Sequence, residues 1–167
     1  KHNAGFWGIG ELCKRWKVSL NSGKGSYVFG EKNDSRAILM KPLTGMNKSG
    51  KAVKEFCINQ GLLLSNVHVI VDDIDLPLGK LRIRPKGGDG CHRGMESIIY
   101  QNRDNNFPRI RFGIAVGSKL RPSEQYVLKD FKKSDQNLAD EMIVRAADAA
   151  ELIFEDGLNK AMNKYNA

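Results

Sequence analysis

The chain has 167 residues and a formal net charge of +8. It is long enough to bury a core, and its basic balance favours a polyanionic partner, above all nucleic acid, although many basic proteins bind none. No apolar run approaches bilayer-spanning length, and no signal peptide is visible. Cys13, Cys57 and Cys91 lack the spacing of a disulfide framework, so reduced thiols in a cytoplasmic protein are expected. No composition shift, long linker or internal repeat divides the sequence, and one domain over 1–167 is expected.

Asn3 can cap a helix over 4–16, where Phe6, Ile9, Leu12, Cys13 and Trp16 recur at helical spacing. Residues 21–25 read as a turn, and 26–29 and 36–41 as short strands, the second ended by Pro42. Ser49 can cap a helix over 50–60 that buries Val53, Phe56 and Cys57 and stops at Gly61. Residues 67–71 form an almost unbroken apolar run, the signature of an interior strand. The run delivers Asp72, Asp73 and Asp75 to a strand end, and Pro77 stops it.

Residues 80–84 alternate, with Leu81 and Ile83 inward and Arg82 and Arg84 outward. A glycine-rich loop over 86–94 leads into a helix at 95–100. Residues 109–116 alternate again, with Ile110, Phe112, Ile114 and Val116 on one face and Arg109 and Arg111 on the other. A long amphipathic helix follows over 135–155, using Leu138, Met142, Val144, Ala146, Ala149, Leu152 and Ile153. Gly157 ends it, and 158–165 form a short last helix. Strands interleaved with helices predict an α/β fold: a single-domain three-layer sandwich, with a twisted mixed central sheet flanked by helices. In such folds ligands gather at the carboxyl ends of strands, where Asp72 lies.

Read by themselves, the polar residues keep bland alternatives. Histidines near a terminus are usually solvated, Asn47 before Ser49 suits a turn or cap, and alternating arginines suit a wet sheet face. The glycine loop lacks the G-K-[ST] of a P-loop, and no G-x-G-x-x-G follows a strand. Asp72, Asp73 and Asp75 with His68 or His92 could hold a divalent ion, but alternation sends Asp72 and Asp73 to opposite faces, so no metal site is expected.

Taken together the motifs narrow the reading. Lys1-His2-Asn3-Ala4-Gly5, Met46-Asn47-Lys48-Ser49-Gly50, Asp72-Asp73-Ile74-Asp75-Leu76-Pro77 and the loop ending His92-Arg93-Gly94 occur in that order. The sequence resembles the bacterial-type peptidyl-tRNA hydrolase family, whose blocks run R/K-H-N-x-G, M-N-x-S-G, D-[DE]-x-D-L-P and a glycine-rich H-N-G. The resemblance implies an esterase that frees tRNA from peptidyl-tRNA in translation, acting as a cytoplasmic monomer without metal, organic cofactor, membrane or obligate protein partner. It implies His2 as general base, since a neutral imidazole suits activation of water near neutral pH. Asp72 would orient and stabilise that imidazole, while Asp75 braces the following turn. Gly45, Met46, Asn47 and Arg93 would line the substrate site, and Arg84 and Arg111 would hold a phosphate of the tRNA acceptor end.

The chain departs from the family pattern in several places. The family's strand and G-x-x-N-P-G loop before the H-N block are absent, so the chain reads as N-terminally truncated relative to it. Gly45 stands where an aromatic usually precedes Met-Asn, Cys91 where glycine is usual, and Arg93 where the family has asparagine. These departures keep a second reading open, a non-catalytic RNA-binding relative that retained the fold and the basic face.

Overall fold

The computed structural model describes Lys1 and residues 3–34, 36–117 and 123–166. Helix α1 (Ala4–Trp16) is followed by strands β1 (Asn21–Ser22), β2 (Tyr27–Glu31) and β3 (Ile38–Pro42). A 3-10 turn, Met46–Lys48, leads into α2 (Ser49–Gln60), and a second, Leu64–Asn66, precedes β4 (Val69–Pro77). Then come β5 (Leu81–Arg84), α3 (Arg93–Asn102), β6 (Arg109–Ala115), α4 (Ser123–Val127), α5 (Lys133–Asp156) and α6 (Leu158–Tyr165). The expected alternation of strands and helices is present. Strand β1 forms inside the segment read as a turn, because Asn21 and Ser22 pair with Phe29 and Val28. Among the described residues no helix is long and apolar enough to cross a membrane.

The described residues gather into two compact units. The first comprises Lys1–Glu11, Val69–Arg84 and Arg109–Ala167, and the second Leu12–His68 and Pro85–Pro108. The first unit holds a mixed sheet of order β4-β6-β5, with β4 parallel and β5 antiparallel to β6. Ile83, Ile110, Phe112 and Ile114 are buried from this sheet against Ala139, Met142, Ala146, Ala149 and Ile153 of α5. Small residues set how closely the helices approach. A Cβ on Gly5 would collide with the Ile70 carbonyl, and one on Gly8 would lie 3.2 Å from Ile70 Cδ1. The buried positions along α1 are Ala4, Gly8 and the expected Leu12, while Phe6 and Ile9 are only half-buried. Leu138 and Val144, expected on the buried face of α5, are exposed, and Ala139 and Ala147 are buried instead.

Strand β5 is an edge, and the end of the chain closes it. Asn166 accepts from the Ile83 amide at 2.7 Å and donates to the Ile83 carbonyl at 2.9 Å, as a neighbouring strand would. The second unit holds an antiparallel sheet of order β1-β2-β3. Tyr27 of β2 packs edge-on against Phe56 of α2, with ring centroids 5.3 Å apart. In the same unit α2 crosses α3 at Gly50, whose amide donates to Ser97 Oγ at 3.0 Å. A Cβ there would collide with the Ser97 carbonyl.

Candidate active site

In the first unit β4 does not end at the carboxylates. It continues to Pro77, so Asp72, Asp73 and Asp75 lie within the strand rather than at its end. Its pairing with β6 holds as far as Asp73 opposite Gly113 and resumes at Pro77 opposite Ala115. The residues between them bulge out, and a Cβ on Gly113 would strike the Pro77 carbonyl. Asp72 is opposite Phe112 and only 5% exposed. Asp73 lies on the other face, as alternation predicts. Its Oδ1 accepts from the Asp75 amide at 3.0 Å, and its Oδ2 meets Arg111 Nε at 2.8 Å.

The β5–β6 register sets Arg82 opposite Arg111 and Arg84 opposite Arg109, forming a block of four guanidinium groups on one face. They are not equally wet. Arg82 and Arg84 are exposed, Arg111 is half-buried, and Arg109 is 2% exposed. Burial, and then the neighbouring Arg111 charge, pushes the Arg109 guanidinium below its ordinary pKa. The sequence pattern suggests a wet face for both residues of β6, and the structure buries one of them.

The second unit brings the M-N-x-S-G block and the end of the glycine loop together. Gly45, Met46 and Asn47 form and precede the first 3-10 turn, with Asn47 exposed. Ser49 is the first residue of α2 rather than its cap, and its Oγ donates to the Met46 carbonyl at 2.8 Å, holding that turn. Gly94 faces this turn, since a Cβ on it would lie 2.7 Å from Met46 Sδ. Arg93 opens α3, exposed, with Glu96 Oε2 3.5 Å from its Nη1.

The cap of α3 is a residue that sequence reasoning missed. His92 Nδ1 accepts from the amides of Gly94 and Met95 at 3.1 and 3.2 Å. The helix therefore starts at Arg93, two residues before the expected start. Histidine is not among the standard cap residues, and the only signal was its place between a glycine loop and a helix. Cys91 just before it has φ +58°, a left-handed conformation suited to glycine. His2 lies outside the described residues. The backbone nitrogen of Lys1, next to it in sequence, is within electrostatic reach of Asp72. Among the described residues no group of three or more His, Cys, Asp or Glu side chains is placed to hold a metal ion.

These features define an α/β protein with the buried Asp72 carboxylate on one face of a mixed sheet and a guanidinium block, with Asp73 paired to it, on the other. The peptidyl-tRNA hydrolase family model matches residues 1–167, and the chain belongs to that family. It is 43% identical to the peptidyl-tRNA hydrolase of Thermoanaerobacter sp. (strain X514), over 99% of this chain and 90% of that protein. It is 40% identical to that of Geobacillus kaustophilus (strain HTA426), with the same coverage of both chains. The crystal structure of peptidyl-tRNA hydrolase from Acinetobacter baumannii superposes with a TM-score of 0.89 at 32% identity, over 99% of this chain and 86% of that one.

Proposed function

We propose that the chain hydrolyses the ester between a peptide and the terminal ribose of tRNA, with His2 as general base and Asp72 as the carboxylate that supports it. Family membership across residues 1–167 is the observation that carries this reading. The water oxygen bonds to the ester carbonyl carbon as His2 takes its proton. The bond from that carbon to the ribose oxygen then breaks, the imidazolium returns the proton to the ribose, and the peptide leaves as a carboxylic acid. A charged imidazole forms during the step, and a carboxylate as buried as Asp72 would interact with it strongly because little water intervenes.

The substrate grip is assigned to Asn47, Met46 and the Gly45 backbone on one side and Arg93 on the other. The packing of Gly94 on Met46, which makes neighbours of these two segments, supports that assignment. An arginine at position 93 donates but cannot accept, so it suits an anionic or carbonyl group of the substrate. Gly45 has an ordinary extended backbone, φ −57° and ψ 153°, so an aromatic could stand there without backbone strain. Arg84 and Arg111 are assigned to a phosphate of the acceptor end, supported by their place in the four-guanidinium block.

The test is release of N-acetyl amino acid from N-acetyl-aminoacyl-tRNA. Wild type turns over, whereas His2→Ala and Asp72→Asn each lose on the order of a hundredfold or more in kcat. Full turnover by His2→Ala would sink the assignment of the base. Salt-sensitive tRNA binding by the wild type without release at any pH would mark a non-catalytic RNA-binding relative instead.

A further inference from the structure

Two backbone hydrogen bonds bracket position 2. The Ala4 amide donates to the Lys1 carbonyl at 3.0 Å, and the Trp7 amide donates to the Asn3 carbonyl at 3.1 Å. A first helical turn frays unless side chains tie it down. Lys1 supplies such a tie. Its ammonium stands 4.3 Å from the centre of the Tyr126 ring and 5.3 Å from that of Phe131. It also donates to the carbonyls of Lys129 at 3.3 Å and Asp130 at 3.1 Å. The ring quadrupoles attract the cation, and the carbonyls take the place of its water.

Tyr126 is itself anchored. Its hydroxyl donates to the Ile114 carbonyl at 2.6 Å and accepts from the Val116 amide at 2.9 Å, at the end of β6. Two residues before Ile114 on that strand, Phe112 lies opposite Asp72. Trp7 of α1 packs on Phe131, with centroids 6.4 Å apart at 51°. The residue before His2 and the helix after it therefore rest on the same aromatic pair, and that pair is hooked to the strand beside Asp72.

We propose that Lys1 is a positioning residue for His2: its ammonium, seated on Tyr126 and the Lys129 and Asp130 carbonyls, fixes the backbone that carries the general base relative to Asp72. The proposal rests on the reading of His2 as base. It makes Lys1 a holder of geometry and not a phosphate contact, since its charge is already engaged by two rings and two carbonyls. Loosening such a clamp should cost turnover and leave substrate binding alone, because RNA is gripped elsewhere.

In the full-length protein, Lys1→Met should lower kcat on the order of tenfold to a hundredfold, with KM little changed. Lys1→Arg keeps a cation over the rings and should recover most of the loss. Tyr126→Leu should copy the loss, and the double variant Lys1→Met with Tyr126→Leu should be no worse than either single change. Wild-type kcat in Lys1→Met would overturn the proposal, as would a raised KM at unchanged kcat, which would make Lys1 an RNA contact. If Lys1→Met melts without a cooperative transition, Tyr126→Phe carries the test. It keeps the ring but frees it from β6, so a fallen kcat supports the clamp and an unchanged one overturns it. His2→Ala is measured alongside: turnover in that variant removes the base assignment, whereas its loss beside a fully active Lys1→Met removes only the clamp.

Discussion

Asp34 carries two cations on one turn. Lys32 Nζ lies 2.7 Å and Arg36 Nη2 3.3 Å from its Oδ2, and its Oδ1 accepts from the Arg36 amide at 3.2 Å. The Lys32 hydrogen bond first, then those from Arg36, hold the carboxyl at about 2, below its ordinary 3.8. A folded-state pKa below the unfolded one means the turn gains stability above pH 3.8 and loses it as pH falls toward about 2. A carboxyl-carbon NMR titration should give an Asp34 midpoint near 2 in the wild type, and a higher one in the Lys32→Met, Arg36→Met double variant, still below the ordinary 3.8 because the Arg36 amide hydrogen bond remains. A wild-type midpoint at the ordinary value would show that the contacts are not kept in solution. At this scale the sequence reveals residue types but not their partners. Asp73 and Arg111 are far apart in the chain, and only the register of β4 on β6 makes them an ion pair. Period-two alternation separates Asp72 from Asp73 correctly, because it is a local property of the strand.

Among the elements, long periodic segments were the most legible and the contacts between helices the least. Helix α1 runs as its apolar spacing predicts, yet its closest approach to β4 is made by glycine, which a hydrophobicity pattern does not register. The same is true of α2 on α3. Gly50→Ala would drive a methyl group into the Ser97 carbonyl, and backbone cannot swing aside as a side chain can. It should cost about 1–3 kcal/mol in urea unfolding. It should also disturb the Met46–Lys48 turn that leads into α2, raising KM for the N-acetyl-aminoacyl-tRNA. Unchanged stability would mean that the two helices can part without penalty. The glycine loop gives the opposite prediction. Cys91 occupies a left-handed position at φ +58°, so Cys91→Gly should raise stability by about 0.5–1 kcal/mol despite the greater entropy of the unfolded glycine. A fall in melting temperature would show that the cysteine side chain contributes more than its backbone costs.

At the scale of the whole molecule, the +8 charge becomes a mechanism only where the fold concentrates it. Sequence alternation gave each arginine a face but not the antiparallel register that pairs Arg82 with Arg111 and Arg84 with Arg109. Like charges so close repel one another, which an isolated domain tolerates only through partners such as Asp73 or through a polyanion that binds the block. The exposed and the half-buried members should therefore fail differently when removed. Arg84→Ala takes away an exposed cation, so the melting temperature should hold while the dependence of log KM on log salt flattens by roughly 0.7–0.9, one phosphate contact. Arg111→Ala should flatten the salt dependence similarly and also lower stability by about 1–3 kcal/mol, because the Asp73 carboxylate is left buried without that cation. Salt dependence unchanged in both variants would show that the block serves the fold and that tRNA is gripped by other cations.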